Sequence, residues 1–174
     1  MSRVLIAIDM QKDFIDGALG SVEAVKIVHK VKQLIKEFAD SGDSIIFTQD
    51  THDNNYLDTL EGKKLPVPHC IFNSDGWKIH ADLLSDLDVK DRYMIITKET
   101  FGFIDWDSLI NNDVEEIVIV GLCTDICVVT NALIIRTHFP NTIIKIVEDA
   151  TAGTSPEKKE AALTVARSCQ IDII

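Results

Sequence analysis

The chain is poor in glycine, proline and aromatic residues. Eight Gly and four Pro in 174 residues, with aromatics at 6%, exclude collagen-like and low-complexity chains, which need those residues in bulk. Positive charge is short as well. Seventeen Lys and Arg stand against twenty-eight Asp and Glu, a net charge of −11 at pH 7, so the protein's field repels phosphate backbones and anionic headgroups. Neither nucleic acid nor a membrane is expected as a partner. No apolar run reaches the roughly 18 to 20 residues that cross a bilayer. Met1-Ser2-Arg3 leads straight into a strand-like run broken by Asp9, which predicts no signal peptide. The four cysteines, Cys70, Cys123, Cys127 and Cys169, form neither a CxxC pair nor a dense framework, so they are expected as thiols in a reducing cytoplasm.

What is present suits a packed globular protein, with 46% apolar and 26% charged residues. The length fits one domain over 1–174, able to bury about two thirds of its unfolded surface. Ile- and Val-rich runs of strand length occupy 4–8, 44–48, 93–97, 117–120 and 143–147. They are apolar on both faces, as strands of a parallel sheet covered on either side are. Helical patterns lie between them. Over 22–39 the apolar positions Ala24, Val25, Val28, Val31, Ile35, Phe38 and Ala39 recur at helical spacing, with Lys26, Lys32 and Lys36 on the other face. A second helix is expected over 125–138, before Pro140. A third opens at Thr154-Ser155-Pro156-Glu157, and a short last strand over 170–174 closes the sheet. The alternation predicts a doubly wound α/β fold, with right-handed crossovers placing helices on both faces of a mostly parallel sheet. The stretch 51–78 is too long for an ordinary connection, and loops of that length usually serve function.

Reactive groups follow the strands. Asp9 ends the first, Asp50 follows the second, Lys98 ends the third, and the fourth leads through Gly121 to Cys127. In an open α/β sheet these positions converge on one crevice at the carboxyl ends of the strands. Cys127 falls in the first turn of the expected helix, capped by Thr124 or Asp125, where the helix end and a cation such as Lys98 would lower its pKa. The alternative is a small buried hydrophobe. Asp9 suits a general base that takes the thiol proton and passes it to a leaving amine, or a capping aspartate. Cys123 is either a redox partner or a turn residue whose backbone amide matters. Asp50, His52, Glu61 and His69 offer the imidazole and carboxylate donors of a divalent site for zinc, iron or manganese, though Asp-x-His alone also fits a turn. His29, His80 and His138 receive no role. The expected helix after Cys127 carries Val128, Val129, Ala132, Leu133, Ile134 and Ile135, more apolar circumference than one sheet face needs, which predicts a homo-oligomer.

Asp9-Met10-Gln11-Lys12-Asp13-Phe14, Asp50-Thr51-His52, Pro68-His69-Cys70, Lys98 and Gly121-Leu122-Cys123-Thr124-Asp125-Ile126-Cys127-Val128 together resemble the successive motifs of the isochorismatase-like cysteine hydrolases, most closely the nicotinamidase branch. The resemblance covers nearly the whole chain in order. It implies a six-stranded, Rossmann-like three-layer sandwich and a triad of Cys127, Asp9 and Lys98. It also implies a cis peptide between Leu122 and Cys123 that turns the Cys123 and Cys127 amides toward an oxyanion. A metal held by Asp50, His52 and His69, with Glu61 as a further ligand in some members, would bind the pyridine nitrogen of nicotinamide. Aromatic residues clamp the ring in that branch. One matches Phe14, and Phe101 or Trp106 stands in for a second that this chain lacks at Pro66-Val67. The implied activity is hydrolysis of a small amide, foremost nicotinamide, through a thioester. The alternatives are another small amide or carbamoyl compound, or a non-catalytic ligand-binding protein on the same fold.

Overall fold

A computed structural model describes residues 2–88 and 90–174. Its six strands are β1 (Arg3–Ile8), β2 (Ser44–Asp50), β3 (Tyr93–Lys98), β4 (Glu116–Leu122), β5 (Ile143–Ala152) and β6 (Asp172–Ile173). All are parallel, in the order β3-β2-β1-β4-β5-β6. Chain direction across the sheet reverses between β1 and β4, so the crevice expected of doubly wound folds opens there. Side chains alternate across β1: Val4, Ile6 and Ile8 enter one apolar cluster, Leu5 and Ala7 the other.

The helices divide between those two clusters. The short α1 (Lys12–Ile15), the long α2 (Val22–Asp40) and α4 (Ala81–Leu84) cover one face, whereas α5 (Trp106–Leu109), α6 (Val129–His138) and α7 (Pro156–Ser168) cover the other. A fourth short helix, α3 (Leu60–Lys64), lies in the connection after β2. Ser21 caps α2 by accepting from Ala24 N at 3.0 Å, and Ser155 caps α7 in the same way ahead of Pro156. The buried stripe of α2 runs through Ala24, Ile27, Val31, Ile35 and Phe38. Each fully buried member contributes about 1.5 to 3 kcal/mol. Val25, expected on that stripe, lies one residue off it and is exposed.

Two further expectations change. The last strand shrinks to two residues, and β3 is a sheet edge whose Tyr93, Met94 and Ile95 remain exposed rather than covered. The stretch 51–78 contains a 3₁₀ turn, Tyr56–Asp58, and α3, and a parallel bridge between His52 and Ile71 ties its beginning to its later half. Among the described residues no helix is long and apolar enough to cross a membrane.

Candidate active site

Four strand ends deliver the side chains named from sequence. Asp9 follows β1 with φ +48°, a left-handed conformation uncommon for a non-glycine residue and frequent at functional sites. It is fully buried. Thr48 secures it on both sides, accepting from Asp9 N at 3.0 Å and donating to Asp9 Oδ1 at 2.6 Å. Lys98 Nζ lies 2.7 Å from Asp9 Oδ2, 3.2 Å from Asp50 Oδ1 and 3.6 Å from Cys127 Sγ. Among the described residues no donor other than the Lys98 ammonium is directed at Asp9 Oδ2, so that oxygen keeps a lone pair for a proton. Burial pushes the Asp9 carboxyl above its ordinary value, and Lys98 pulls it back. Burial works against the Lys98 charge, but the carboxylates of Asp9 and Asp50 offset it and raise the ammonium's pKa.

Cys127 sits in a π-turn, Thr124–Val128, and not in the first turn of a regular helix. Neither Thr124 nor Asp125 caps it; the Asp125 carboxylate instead accepts from Thr154 N at 2.8 Å and Thr154 Oγ1 at 2.6 Å. The Cys123 carbonyl accepts from Ile126 N at 3.0 Å and Val128 N at 3.1 Å, skipping the Cys127 amide that a regular helix would engage. The bond between Leu122 and Cys123 is cis. Gly121 precedes it at φ +118°, where an added Cβ would lie 2.1 Å from Ile8 O, so only glycine lets β4 approach β1 there.

The Cys127 thiol departs from expectation. Burial raises its pKa well above the ordinary value, Asp9 and Asp50 push the same way, and Lys98 opposes them, so the resting sulfur is protonated. Cys123 is no redox partner for it. Its side chain packs with the opposite apolar cluster, and burial, with Asp125 and Asp9, pushes its thiol up to about 12.

Beside this trio, Asp50, His52, Glu61 and His69 each point one donor atom into a space where all four lie within 4.8 Å of one another. His52 Nε2 is 2.9 Å from Asp50 Oδ2, and His69 Nε2 is 3.7 Å from the same oxygen. His69 Nδ1 donates to Val67 O at 2.8 Å, which leaves Nε2 as the ligating nitrogen. Burial would raise the Asp50 carboxyl, but hydrogen bonds from His52 and His69 and the charge of Lys98 hold it below the usual range. Two imidazoles and two carboxylates suit zinc or a similar divalent ion. Tyr56 packs its ring 4.8 Å from His52 and 5.0 Å from His69, and Phe14 stands 5.4 Å from His69 at the rim.

The isochorismatase domain model matches residues 3–174. The chain belongs to the isochorismatase family. Within it, the chain is 26% identical to the nicotinamidase/pyrazinamidase of Mycobacterium tuberculosis, covering 99% of this chain and 98% of that protein. Among solved structures it resembles the pyrazinamidase of Pyrococcus horikoshii in complex with zinc (TM-score 0.83, 30% identity, 100% and 99% of the two chains). It likewise resembles the nicotinamidase/pyrazinamidase PncA of Bacillus subtilis (TM-score 0.86, 28% identity, 99% of each chain).

One candidate in this isochorismatase-family chain is corrected. Trp106 lines no pocket: it is fully buried, packs edge-on against Phe103, and its Nε1 donates to Asn131 Oδ1 at 3.3 Å. Trp106→Phe is expected to cost about 1 to 2 kcal/mol of stability and to leave KM unchanged. Paired thermal melts and substrate titrations check this, and a raised KM would return Trp106 to the pocket. Phe14 and Phe101 do reach the surface, half-buried and exposed respectively.

Sequence reading missed Thr48 and gave no role to Gln11. The Gln11 amide accepts from Asp50 N at 2.7 Å and donates to Asp50 O at 2.9 Å and Trp77 O at 2.8 Å, fixing the strand end that carries Asp50.

Proposed function

We propose that this isochorismatase-family enzyme is a cysteine amidohydrolase that converts nicotinamide to nicotinate and ammonia. The observation that carries the reading is one buried ammonium, Lys98 Nζ, standing between the Asp9 carboxylate and the Cys127 sulfur at the edge of the Asp50, His52, Glu61 and His69 cluster.

Asp9 Oδ2 takes the Cys127 proton as the sulfur attacks the amide carbonyl carbon. A raised thiol pKa suits this role, because the thiolate is made when substrate is present and does not sit exposed beforehand. The oxyanion accepts hydrogen bonds from the Cys123 and Cys127 amides, where losing a single donor costs roughly a hundredfold or more in rate. Asp9 then passes its proton to the nitrogen, the carbon–nitrogen bond breaks, and ammonia leaves a thioester on Cys127. Water gives a proton to Asp9 and attacks the thioester, and the sulfur leaves and recovers that proton. Lys98 keeps Asp9 ionised between these transfers. A divalent ion held by Asp50, His52, Glu61 and His69, zinc in our reading, would supply a Lewis-acid point for the pyridine nitrogen. Phe14 and Phe101 flank the ring.

The same chemistry on a smaller amide or a carbamoyl compound is the second reading, favoured by Val67 standing where the nicotinamidase branch carries an aromatic wall. We further propose a single domain working in the cytoplasm with its four cysteines reduced. It self-associates, though not through the residues first expected to drive this. Val128, Ala132 and Ile135 are buried in the chain's own core with Leu133 and Ile134 packed against it, which leaves the β3 edge as apolar surface. The net charge of −11 keeps nucleic acid and anionic membranes away.

The test is direct. Purified protein is expected to release equal amounts of nicotinate and ammonia at a kcat on the order of 1 to 100 per second. A chelator is expected to lower turnover at least tenfold, with zinc, iron or manganese restoring it. Turnover of other small amides without nicotinamide would select the second reading. Failure on every amide, with Cys127 inert to alkylation, would sink both.

A further inference from the structure

A buried amide with no place in the proposed reaction lies one turn beyond the nucleophile. Asn131, in α6, is fully buried and spends its whole hydrogen-bonding capacity. Its Nδ2 donates to Cys127 O at 2.8 Å and to Phe101 O at 3.1 Å, while Oδ1 accepts from Phe103 N at 2.8 Å and from Trp106 Nε1 at 3.3 Å. Three of these partners belong to the segment between β3 and the end of α5, and the fourth is the backbone of the proposed nucleophile.

The same segment is held from its other end by Lys98. Its Nζ donates to Thr100 O at 3.0 Å while lying 3.6 Å from Cys127 Sγ. Two successive carbonyls, those of Thr100 and Phe101, are therefore each gripped by a donor that also reaches Cys127, one at the sulfur and one at the backbone. Between them and α6 there is little slack. A Cβ added to Gly102 would come within 2.5 Å of Ile134 Cδ1 and 2.9 Å of Thr130 Cγ2.

We infer that Asn131 is a positioning residue that locks segment 100–103 and the nucleophile's turn into one unit, holding the Cys127 sulfur against the Lys98 ammonium. The inference rests on Cys127 being the nucleophile. A reacting atom displaced by about 1 Å can lose roughly a hundredfold in rate, so a residue that never touches substrate can govern kcat.

The metal-loaded protein tests this in four forms: unaltered, Asn131→Ala, Asn131→Ser and Gly102→Ala. Each is melted to establish its fold and then assayed well below its midpoint. The measurements are kcat and KM for nicotinamide, and the rate of Cys127 carbamidomethylation by iodoacetamide, read by mass spectrometry. Asn131→Ala is expected to lower kcat about ten- to a hundredfold with KM within about twofold, and to slow alkylation about fivefold. Asn131→Ser, which offers one hydroxyl in place of the amide, falls between, and Gly102→Ala moves kcat the same way by less. A lowered melting midpoint with kcat and alkylation unchanged would overturn the inference, since Asn131 would then serve packing alone. A raised KM with unchanged kcat would also overturn it, leaving the segment as a substrate wall only. If Asn131→Ala does not fold, the other two variants carry the same contrast. If the unaltered protein releases no nicotinate, the proposed function fails by itself, and the alkylation rates still decide whether Asn131 positions Cys127.

Discussion

Cys127→Ala is expected to abolish release of ammonia from every accepted amide, a fall of at least about a thousandfold, while the protein stays folded. Without the sulfur there is no thioester, and Asp9 is left with a proton acceptor's position but no nucleophile to activate. The fold survives because the change removes one atom from the edge of an apolar cluster that includes Val128, Ala132 and Ile135. A cavity of that size costs on the order of 1 kcal/mol. Ammonia release and a thermal melt on the same sample check both halves. Retained turnover in a folded variant would end the mechanism, whatever the substrate proved to be.

Lys98→Met should be the other severe change, and it strikes stability as well as rate. Lys98 and Asp9 are both buried, and removing one partner of a buried pair leaves an uncompensated charge that costs about 3 to 5 kcal/mol. With the ammonium gone, burial raises the Asp9 pKa further, since the largest opposing influence has been deleted. A raised folded-state pKa contributes stability that is present below the unfolded value and lost as pH rises through the folded value. The variant is therefore expected to be least stable relative to the parent at neutral pH and to recover part of the deficit as pH falls toward about 4. Its kcat falls at least about a hundredfold, because a protonated Asp9 is no base. Urea melts across that pH range read the first effect. A deficit that grew toward acid would contradict the charge assignment.

The legible parts of this protein were those that leave a local trace. β1, β2 and β4 show as Ile- and Val-rich runs because helices cover both of their faces, and Asp9, Lys98 and Cys127 show because each stands at or beyond a strand end. β3 has the same composition, but its place at the sheet edge depends on strand order, which no single segment carries. Thr48, Gln11 and Asn131 were illegible for a related reason. Thr48 and Gln11 each act on a residue 39 positions away, and Asn131 reaches back 30 positions to Phe101, so even where Gln11 stands inside a quoted motif its local sequence does not say what it holds. Trp106 was misread because closeness to Lys98 in sequence suggests a pocket wall, whereas α5 turns the indole into the core. The Cys127 pKa went the wrong way because burial, invisible in a motif, outweighs the nearby cation.

In the proposed reaction the bond-making groups hang from the strand ends, while the surfaces that would meet a ligand's outline come from the connections after β2 and β3 and the short segment carrying Phe14. A descendant of this gene could exchange outward side chains on those connections, Phe101 among them, and admit a different molecule while the Thr100 and Phe101 carbonyls keep their hold on Lys98 and Asn131. Novel diets would then arise from edits to the walls, and the chemical engine underneath would be inherited unaltered.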